Sequence, residues 1–170
     1  MFVKSEDIEG KLTHWISKEH KDKALAAEFK FLEGGLSSKP LGLWISWNGG
    51  WEDWTKGEWP DWMKGKVCLT AKIKPGLKLW HIDSLEDFAE IWDEFKVFAN
   101  IKEEHMYMSM FTLHEAKKEG KDFWVWLKEK GVDGIALTDQ GQWKTRMGTW
   151  LYGWDCQSIV IFKPENVELK

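Results

Sequence analysis

Tryptophan is the feature that most limits what this chain can fold into. The chain has 14 tryptophans among 170 residues, and each buried indole needs a large apolar volume and a partner for its N–H group. Composition indicates that a core of this size does not need so many. Six of them lie close together in the sequence: Trp44, Trp47, Trp51, Trp54, Trp59 and Trp62. We therefore expect the stretch from Trp44 to Trp62 to wall or cover a binding site for a flat ligand.

Length and composition predict one globular domain over residues 1–170. Hydrophobic residues make up 43% of the chain and charged residues 31%, which is typical of a folded domain. The net charge of −4 argues against indiscriminate coating of nucleic acid. No apolar run approaches the roughly 18 residues of a membrane span, and the N-terminus lacks the apolar region of a signal peptide. We expect a cytoplasmic protein with no membrane partner and with Cys68 and Cys156 as buried free thiols.

Alternation of apolar and polar residues predicts the strands. The turn residues Pro75 and Gly76 lie between two of these strands and predict that residues 67–82 form a hairpin. The predicted strands are Leu12–Ile16, Leu43–Trp47, Val67–Ile73, Leu77–Ile82, Ile135–Leu137 and Cys156–Phe162.

Helical spacing predicts two helices among the strands, over residues 85–98 and 121–130. Ser84 with Asp87 has the spacing of an N-terminal cap for the first of them. Glycine-containing stretches at 48–65 and 138–153 are predicted to be loops. The segment 99–118 favours an edge strand or a turn of helix, and within it Tyr107 is a candidate for ligand contact. Strands with inserted helices predict an α+β fold.

Three short pieces of sequence contain candidate chemistry: His14 in the first strand, Ser46 between two aromatic residues, and Asp155 at the start of the last strand. Each also has a structural interpretation: a hydrogen-bonded strand histidine, an ordinary hydroxyl, and a turn cap. The chain has no glycine-rich nucleotide loop, no zinc-protease motif and no C-x-x-C pair. The histidines lack ligand spacing, so no metal site is predicted.

In order, the pieces resemble those of compact ADP-ribosyltransferase-like proteins of phages and bacteria. The resemblance covers nearly the whole chain through short motifs: the strand with His14, K-P-x-G-L-W-x-S at 39–46, G-x-D-G-I at 131–135, W-D-x-x-S at 154–158, and F-x-P ending at Pro164. It implies a single ADP-ribosyltransferase-like domain of split antiparallel β-sheets that uses NAD as its substrate. At two positions the chain differs from the family pattern: the acid is Asp155 where glutamate is commonest, and Gln157 stands where some relatives have an acid.

The resemblance also implies roles for individual residues. His14 would hold the adenosine side of NAD, and Trp44 with Ser46 would support the nicotinamide side. Asp155 would stabilise the positive charge that builds on the ribose as nicotinamide leaves. The catalytic candidates are therefore Asp155, His14 and Ser46. The NAD-binding candidates are His14, Trp44, Ser46, Trp54, Asp155 and Ser158.

Two alternatives to an NAD-dependent transferase stay open at this stage. One is a non-catalytic protein, such as a phage anti-defence protein, that binds a nucleotide, a carbohydrate or a partner protein through the tryptophan-rich stretch. The other is a protein that binds or acts on nucleic acid through stacking tryptophans together with Lys144 and Arg146. The sequence does not identify the acceptor of the ADP-ribose, for which a protein or a nucleic acid is the leading expectation.

Overall fold

The computed structural model describes residues 1–26, 28, 39–102, 109–147 and 149–170. In these ranges the strands form one sheet in the order β1-β5-β6-β7-β3-β2-β4-β8. Neighbouring strands are antiparallel, except that β5 and β6 are parallel. The strands are β1 (Phe2–Lys4), β2 (Leu12–Ser17), β3 (Leu43–Trp47), β4 (Lys66–Ile73), β5 (Lys78–Ile82), β6 (Gly134–Leu137), β7 (Ser158–Ile161) and β8 (Val167–Leu169).

Six α-helices are inserted between these strands in the described ranges. They are α1 (Lys21–Leu25), α2 (Gly50–Glu58), α3 (Leu85–Ala99), α4 (Ser109–Lys118), α5 (Phe123–Glu129) and α6 (Asp139–Thr145). Short 3-10 helices include Pro60–Met63 and Trp150–Gly153. The predicted cap of α3 is present, because the Ser84 hydroxyl accepts a hydrogen bond from the backbone N–H of Asp87 at 3.1 Å.

The α+β class is confirmed, and the predicted strands and helices are found with small shifts at their ends. In place of split sheets the described strands form a single eight-stranded sheet. Its two halves are joined through a short contact between β2 and β3, because each of these strands pairs for most of its length with another neighbour.

The predicted hairpin over 67–82 is wrong. β4 pairs with β2 and β8, whereas β5 pairs with β1 and β6. Ser5 accounts for the separation, since its hydroxyl donates to the Lys74 carbonyl at 2.7 Å and accepts from the Leu77 N–H at 3.1 Å. These groups lie on either side of the Pro75–Gly76 turn. The N-terminal segment thus takes up backbone groups that a hairpin would have paired with each other.

Both predicted loops contain a helix. In 48–65, Asn48 and Gly49 adopt left-handed backbone conformations (φ 51° and 81°) and turn the chain into α2. In 138–153, the Thr138 hydroxyl caps α6 by accepting from the Gly141 N–H at 2.9 Å. These helices have nine and seven residues, too short to show a clear apolar period. Within 99–118 the described residues 109–118 form α4, which agrees with the helical alternative, and Tyr107 lies outside the described residues.

Half of the tryptophans are ordinary core residues. Those classed as buried are Trp47, Trp80, Trp92, Trp124, Trp126, Trp150 and Trp154. Most pack with Phe88, Phe95 and Phe123 between the sheet and the helices α3 and α5. The core therefore uses half of the tryptophans. Five of the other seven lie in the stretch from Trp44 to Trp62.

A second, aliphatic core covers the other face of the sheet and includes Ile45, Leu69 and Ile159. Of the two free cysteines, Cys156 is buried as expected, but Cys68 is exposed on β4. Among the helices that the structure describes, none is long and apolar enough to cross a membrane.

Replacing Trp80 tests the aromatic core. Its side chain is 0% exposed, and its indole N–H donates to the Asp87 carbonyl at 3.0 Å. We expect Trp80→Ala to lower the free energy of unfolding by roughly 3–5 kcal/mol, because it leaves a cavity and an unpaired carbonyl. Urea denaturation followed by circular dichroism measures the change. The control Trp143→Ala removes an indole that is 75% exposed and should change stability by no more than about 0.5 kcal/mol. A loss at Trp80 as small as that would contradict this account of the core.

Candidate functional site

The site lies where two strands at the centre of the sheet part. β2 and β3 pair at only two positions, Leu12 with Trp47 and Thr13 with Ser46. Beyond them, β2 continues along β4 and β3 continues along β7. Residues that follow the last pair on both strands line a cavity of about 310 Å³. The short contact between the strands therefore leaves space for a pocket within an otherwise continuous sheet.

The cavity wall is largely aromatic, with a few polar groups. Its aromatic side chains are Trp15, Trp44, Trp51, Trp62 and Trp154, and its polar side chains include His14, Lys39, Ser46, Asp155 and Ser158. Trp44 and Trp154 contact each other with ring centroids 4.5 Å apart. The Lys39 ammonium lies 5.7 Å from the Trp44 ring centroid. Flat apolar walls with few, separated polar groups are typical of small-molecule sites.

Five of the six candidate NAD-binding residues line this cavity: His14, Trp44, Ser46, Asp155 and Ser158. Trp54 is not among the lining residues. It stacks on Trp51, with ring centroids 5.0 Å apart and planes at 22°. Trp51 itself faces the cavity and makes an edge contact with Trp62 at 5.0 Å. From the stretch between Trp44 and Trp62 the cavity wall thus includes Trp51 and Trp62 beside the predicted Trp44.

His14 is held in one tautomer. Its Nδ1 lies 2.8 Å from the backbone carbonyl oxygen of Trp44, and because a carbonyl can only accept, Nδ1 must donate. Burial lowers the pKa of His14 below its usual value, and the bond to Trp44 only partly opposes this effect. The neutral ring therefore keeps Nε2 unprotonated as a hydrogen-bond acceptor.

The Ser46 hydroxyl is also constrained. It donates to Oε2 of Glu52 and accepts from the backbone N–H of Trp51 at 3.2 Å. A serine hydroxyl has one donor and two acceptor positions. Its proton and one lone pair are thus engaged within the protein, and one lone pair is left for a ligand.

Glu52 is a further residue of the candidate site, which the sequence did not point to. It lies in the first turn of α2, and its Oε1 accepts from the Thr13 hydroxyl at 2.9 Å while Oε2 accepts from Ser46. Gly50 lets the helix approach this closely, because a Cβ there would lie 2.8 Å from the Gln157 carbonyl oxygen. The sequence does contain one signal for this position, the helical spacing of Trp51, Trp54 and Thr55. This spacing would have placed Glu52 in the first turn of a helix beside the strands.

The Glu52 carboxylate is ionised at neutral pH. Burial alone would raise its pKa, but the hydrogen bonds from Ser46 and Thr13 hold the pKa below the usual glutamate value. The indole N–H of Trp15, which is outside normal hydrogen-bond geometry, acts in the same direction. The helix N-terminus also favours a negative charge there. No salt bridge to Glu52 is found among the described residues, so the cavity has a negative charge close behind its wall.

Asp155 lies at the edge of the cavity, between the Trp150–Gly153 helix and β7. Its side chain is 26% exposed, and one oxygen is 4.0 Å from a guanidinium nitrogen of Arg146. This distance is at the limit of an ion pair, so the carboxylate keeps acceptor positions for a ligand. The neighbouring Cys156 thiol does not supply a nucleophile, because burial and the nearby Asp155 raise its pKa to about 12.

Besides the Lys39 ammonium, the site thus combines aromatic faces, hydrogen-bond acceptors and negative charge. His14 Nε2, the remaining lone pair of Ser46 and the Asp155 carboxylate all accept hydrogen bonds. A matching ligand has a flat cationic ring and several N–H or O–H donors. In the described part of the chain, no group of three or more histidine, cysteine or acidic side chains is placed to hold a metal ion.

Comparisons of the chain with protein-family models, with curated proteins and with solved structures found no match.

The state of His14 gives a testable dependence of stability on pH. Because the folded pKa lies below the unfolded value of about 6.5, the unfolded chain binds a proton first as pH falls. The wild type should therefore lose stability between about pH 7.5 and the folded pKa of His14. His14→Gln lacks this loss, so the stability advantage of the wild type should shrink as pH falls in urea titrations at several pH values.

Two comparisons make this test specific. Burial also lowers the pKa of His81, but His81 is present in both proteins and cancels in the difference. His20→Gln, at an exposed position, should leave the wild-type pH dependence unchanged. A constant gap between wild type and His14→Gln across this range would contradict a buried neutral His14.

Proposed function

We propose that this protein is an NAD-dependent ADP-ribosyltransferase-like enzyme that transfers ADP-ribose from NAD to an acceptor and releases nicotinamide. The observation that supports the proposal most is the convergence of His14, Ser46 and Asp155 on one aromatic cavity. These residues come from β2, from β3 and from the segment before β7, which are far apart in sequence but adjacent in the sheet. β2 and β3 pair at only two positions, which leaves room for this cavity within the single sheet.

The chemistry of the cavity fits the nicotinamide riboside half of NAD. The nicotinamide ring of NAD is flat and positively charged, so it gains from tryptophan faces and from the nearby Glu52 and Asp155 carboxylates. The ribose hydroxyls and the carboxamide supply donors to the acceptors of the site. A volume of about 310 Å³ is at the lower end of ligand pockets, so the cavity holds only part of NAD. The adenosine half would extend out of the cavity past His14, and the pyrophosphate would lie toward the cationic Lys39.

In the proposed reaction the bond between the ribose C1′ and the nicotinamide nitrogen breaks. The electron pair leaves with nicotinamide, which becomes neutral, and positive charge develops on the ribose. Asp155 stabilises this charge more strongly than water would, because aromatic walls keep the local dielectric low. A nucleophilic atom of the acceptor then bonds to C1′ and loses its proton to Asp155 or to solvent. The protein itself contributes no covalent nucleophile.

A second candidate function is a non-catalytic protein that binds a small cationic or aromatic ligand in the same cavity. Two observations favour it. Asp155 lies beside Arg146, which offsets part of the charge that catalysis would use, and Gln157 supplies no second acid. The two candidates differ in one measurable respect: an enzyme needs the charge of Asp155 for turnover, whereas a binding protein needs at most its hydrogen bonds.

Asp155→Asn separates the two candidates. We expect NAD binding, measured by calorimetry, to change by less than about tenfold. Release of nicotinamide or transfer of labelled ADP-ribose in cell extract should fall by about a hundredfold or more, because the stabilising charge is lost. Asp53→Asn, an exposed acid on α2, is the matched control and should keep full activity. Wild-type protein that binds NAD without turning it over would support the non-catalytic candidate, and absence of any NAD binding would refute the proposed enzyme.

Tryptophan substitutions test which part of the stretch from Trp44 to Trp62 contacts the ligand. Trp51→Ala should weaken NAD binding by roughly five- to a hundredfold, because it removes a stacking face of the cavity. Trp54→Ala should have a smaller effect, since Trp54 only supports Trp51. The control Trp59→Ala, at an indole that is 56% exposed and outside the cavity wall, should change affinity by no more than about twofold. If Trp51→Ala and Trp59→Ala changed the affinity for NAD equally, this cavity would be excluded as the ligand site.

A further inference from the structure

The hydrogen bonds of Ser46 determine what kind of ligand group it can meet. Its proton points to Glu52, and its first lone pair is occupied by the Trp51 N–H. Because an ionised carboxylate only accepts, Ser46 cannot turn its proton toward the cavity without removing the hydrogen bond to Oε2 of Glu52. Ser46 is 6% exposed and lines the cavity, so its free lone pair is the group that a ligand meets.

The Glu52 carboxylate is fixed in position by two hydrogen bonds. It is held from two strands at once, by Thr13 on β2 and by Ser46 on β3. Thr13 and Ser46 are directly paired in the sheet, so both hydroxyls lie on the same face and reach the same carboxylate. The carboxylate thus spans the last paired position before the strands part. It has no salt bridge among the described residues, so its charge also acts on the cavity.

We infer that Glu52 is a positioning residue that holds Ser46 as a hydrogen-bond acceptor, so that the cavity selects rings bearing a carboxamide and rejects rings bearing a carboxylate. A carboxamide donates its N–H to the free lone pair of Ser46. A carboxylate in the same place would set oxygen against oxygen and would add a second negative charge near Glu52. The inference deepens the proposed function, because it names the group on the nicotinamide ring that Ser46 recognises.

Two matched probes test the inference without any turnover. 1-Methylnicotinamide and 1-methylnicotinate have the same quaternary ring and differ only in carboxamide against carboxylate. Their binding to the full chain at pH 7.5 is measured by quenching of tryptophan fluorescence and by NMR titration. Wild type should bind the amide at least about tenfold more tightly than the acid, from one hydrogen bond gained or one repulsive contact.

Variants then assign the preference to Glu52. Glu52→Gln keeps the shape but removes the charge, and one orientation of the new amide also frees the Ser46 proton. The preference should fall to about threefold or less. Asp53→Asn is the matched control, because it removes a negative charge from the same turn of α2 at an exposed position; its preference should stay within about twofold of wild type. Ser46→Ala should weaken binding of the amide and strengthen binding of the acid slightly, because it removes both the hydrogen-bond acceptor and the oxygen that faces the carboxylate, and it decides the question if Glu52→Gln does not fold.

Several results would overturn the inference. These are an equal affinity of wild type for the two probes, a preference that Glu52→Gln and Ser46→Ala both retain, an equal loss of preference in Asp53→Asn, or no binding of the amide at all. The fate of the proposed function is separate, because it depends on NAD. Binding of NAD with no discrimination between the probes refutes the role of Glu52 alone. Discrimination between the probes with no binding of NAD refutes the transferase alone.

Discussion

The contact between β2 and β3 is the constraint on which the rest of the site depends. Two residue pairs join the halves of the sheet, and the second of them sets Thr13 beside Ser46. Longer pairing would close the space between the strands, because the Trp44 carbonyl would then bond to the backbone of β2. Here the carbonyl accepts from the His14 side chain instead. One side chain thus satisfies a backbone group that the parting strands would leave unpaired.

The same contact explains why a charged residue is tolerated behind the cavity. Removing a carboxylate from water is costly unless hydrogen bonds replace its hydration. Glu52 gains these bonds from Thr13 and Ser46, which only the paired position brings together. These hydrogen bonds therefore stabilise the ionised form of Glu52, although no salt bridge to it is found among the described residues. A more usual ion pair would have cancelled the negative potential that favours a cationic ring in the cavity.

The outline of the fold was predictable because alternation marks half-buried strands clearly. Leu43–Trp47 was predicted with its observed ends, and the helix over 85–98 matches α3 to within one residue. The pairing of strands was not predictable, because the turn at Pro75–Gly76 looks the same whether or not Ser5 intervenes. Helix α2 was missed for a related reason: glycines and tryptophans dominate it, and neither residue type indicates a helix by itself.

The candidate site was predictable only in part, and the difference has a physical cause. His14, Ser46 and Asp155 could be proposed because a resemblance set them in order. Glu52 lies in a segment that was predicted to be a loop, and nothing in the sequence around Ser46 indicates that its hydroxyl binds a carboxylate. A serine hydroxyl can ordinarily donate or accept a hydrogen bond. Because the Ser46 proton is held by the Glu52 carboxylate, Ser46 can only accept a hydrogen bond from a ligand. Pairing in the sheet thus gives the serine its defined role, and no local pattern in the sequence encodes that pairing.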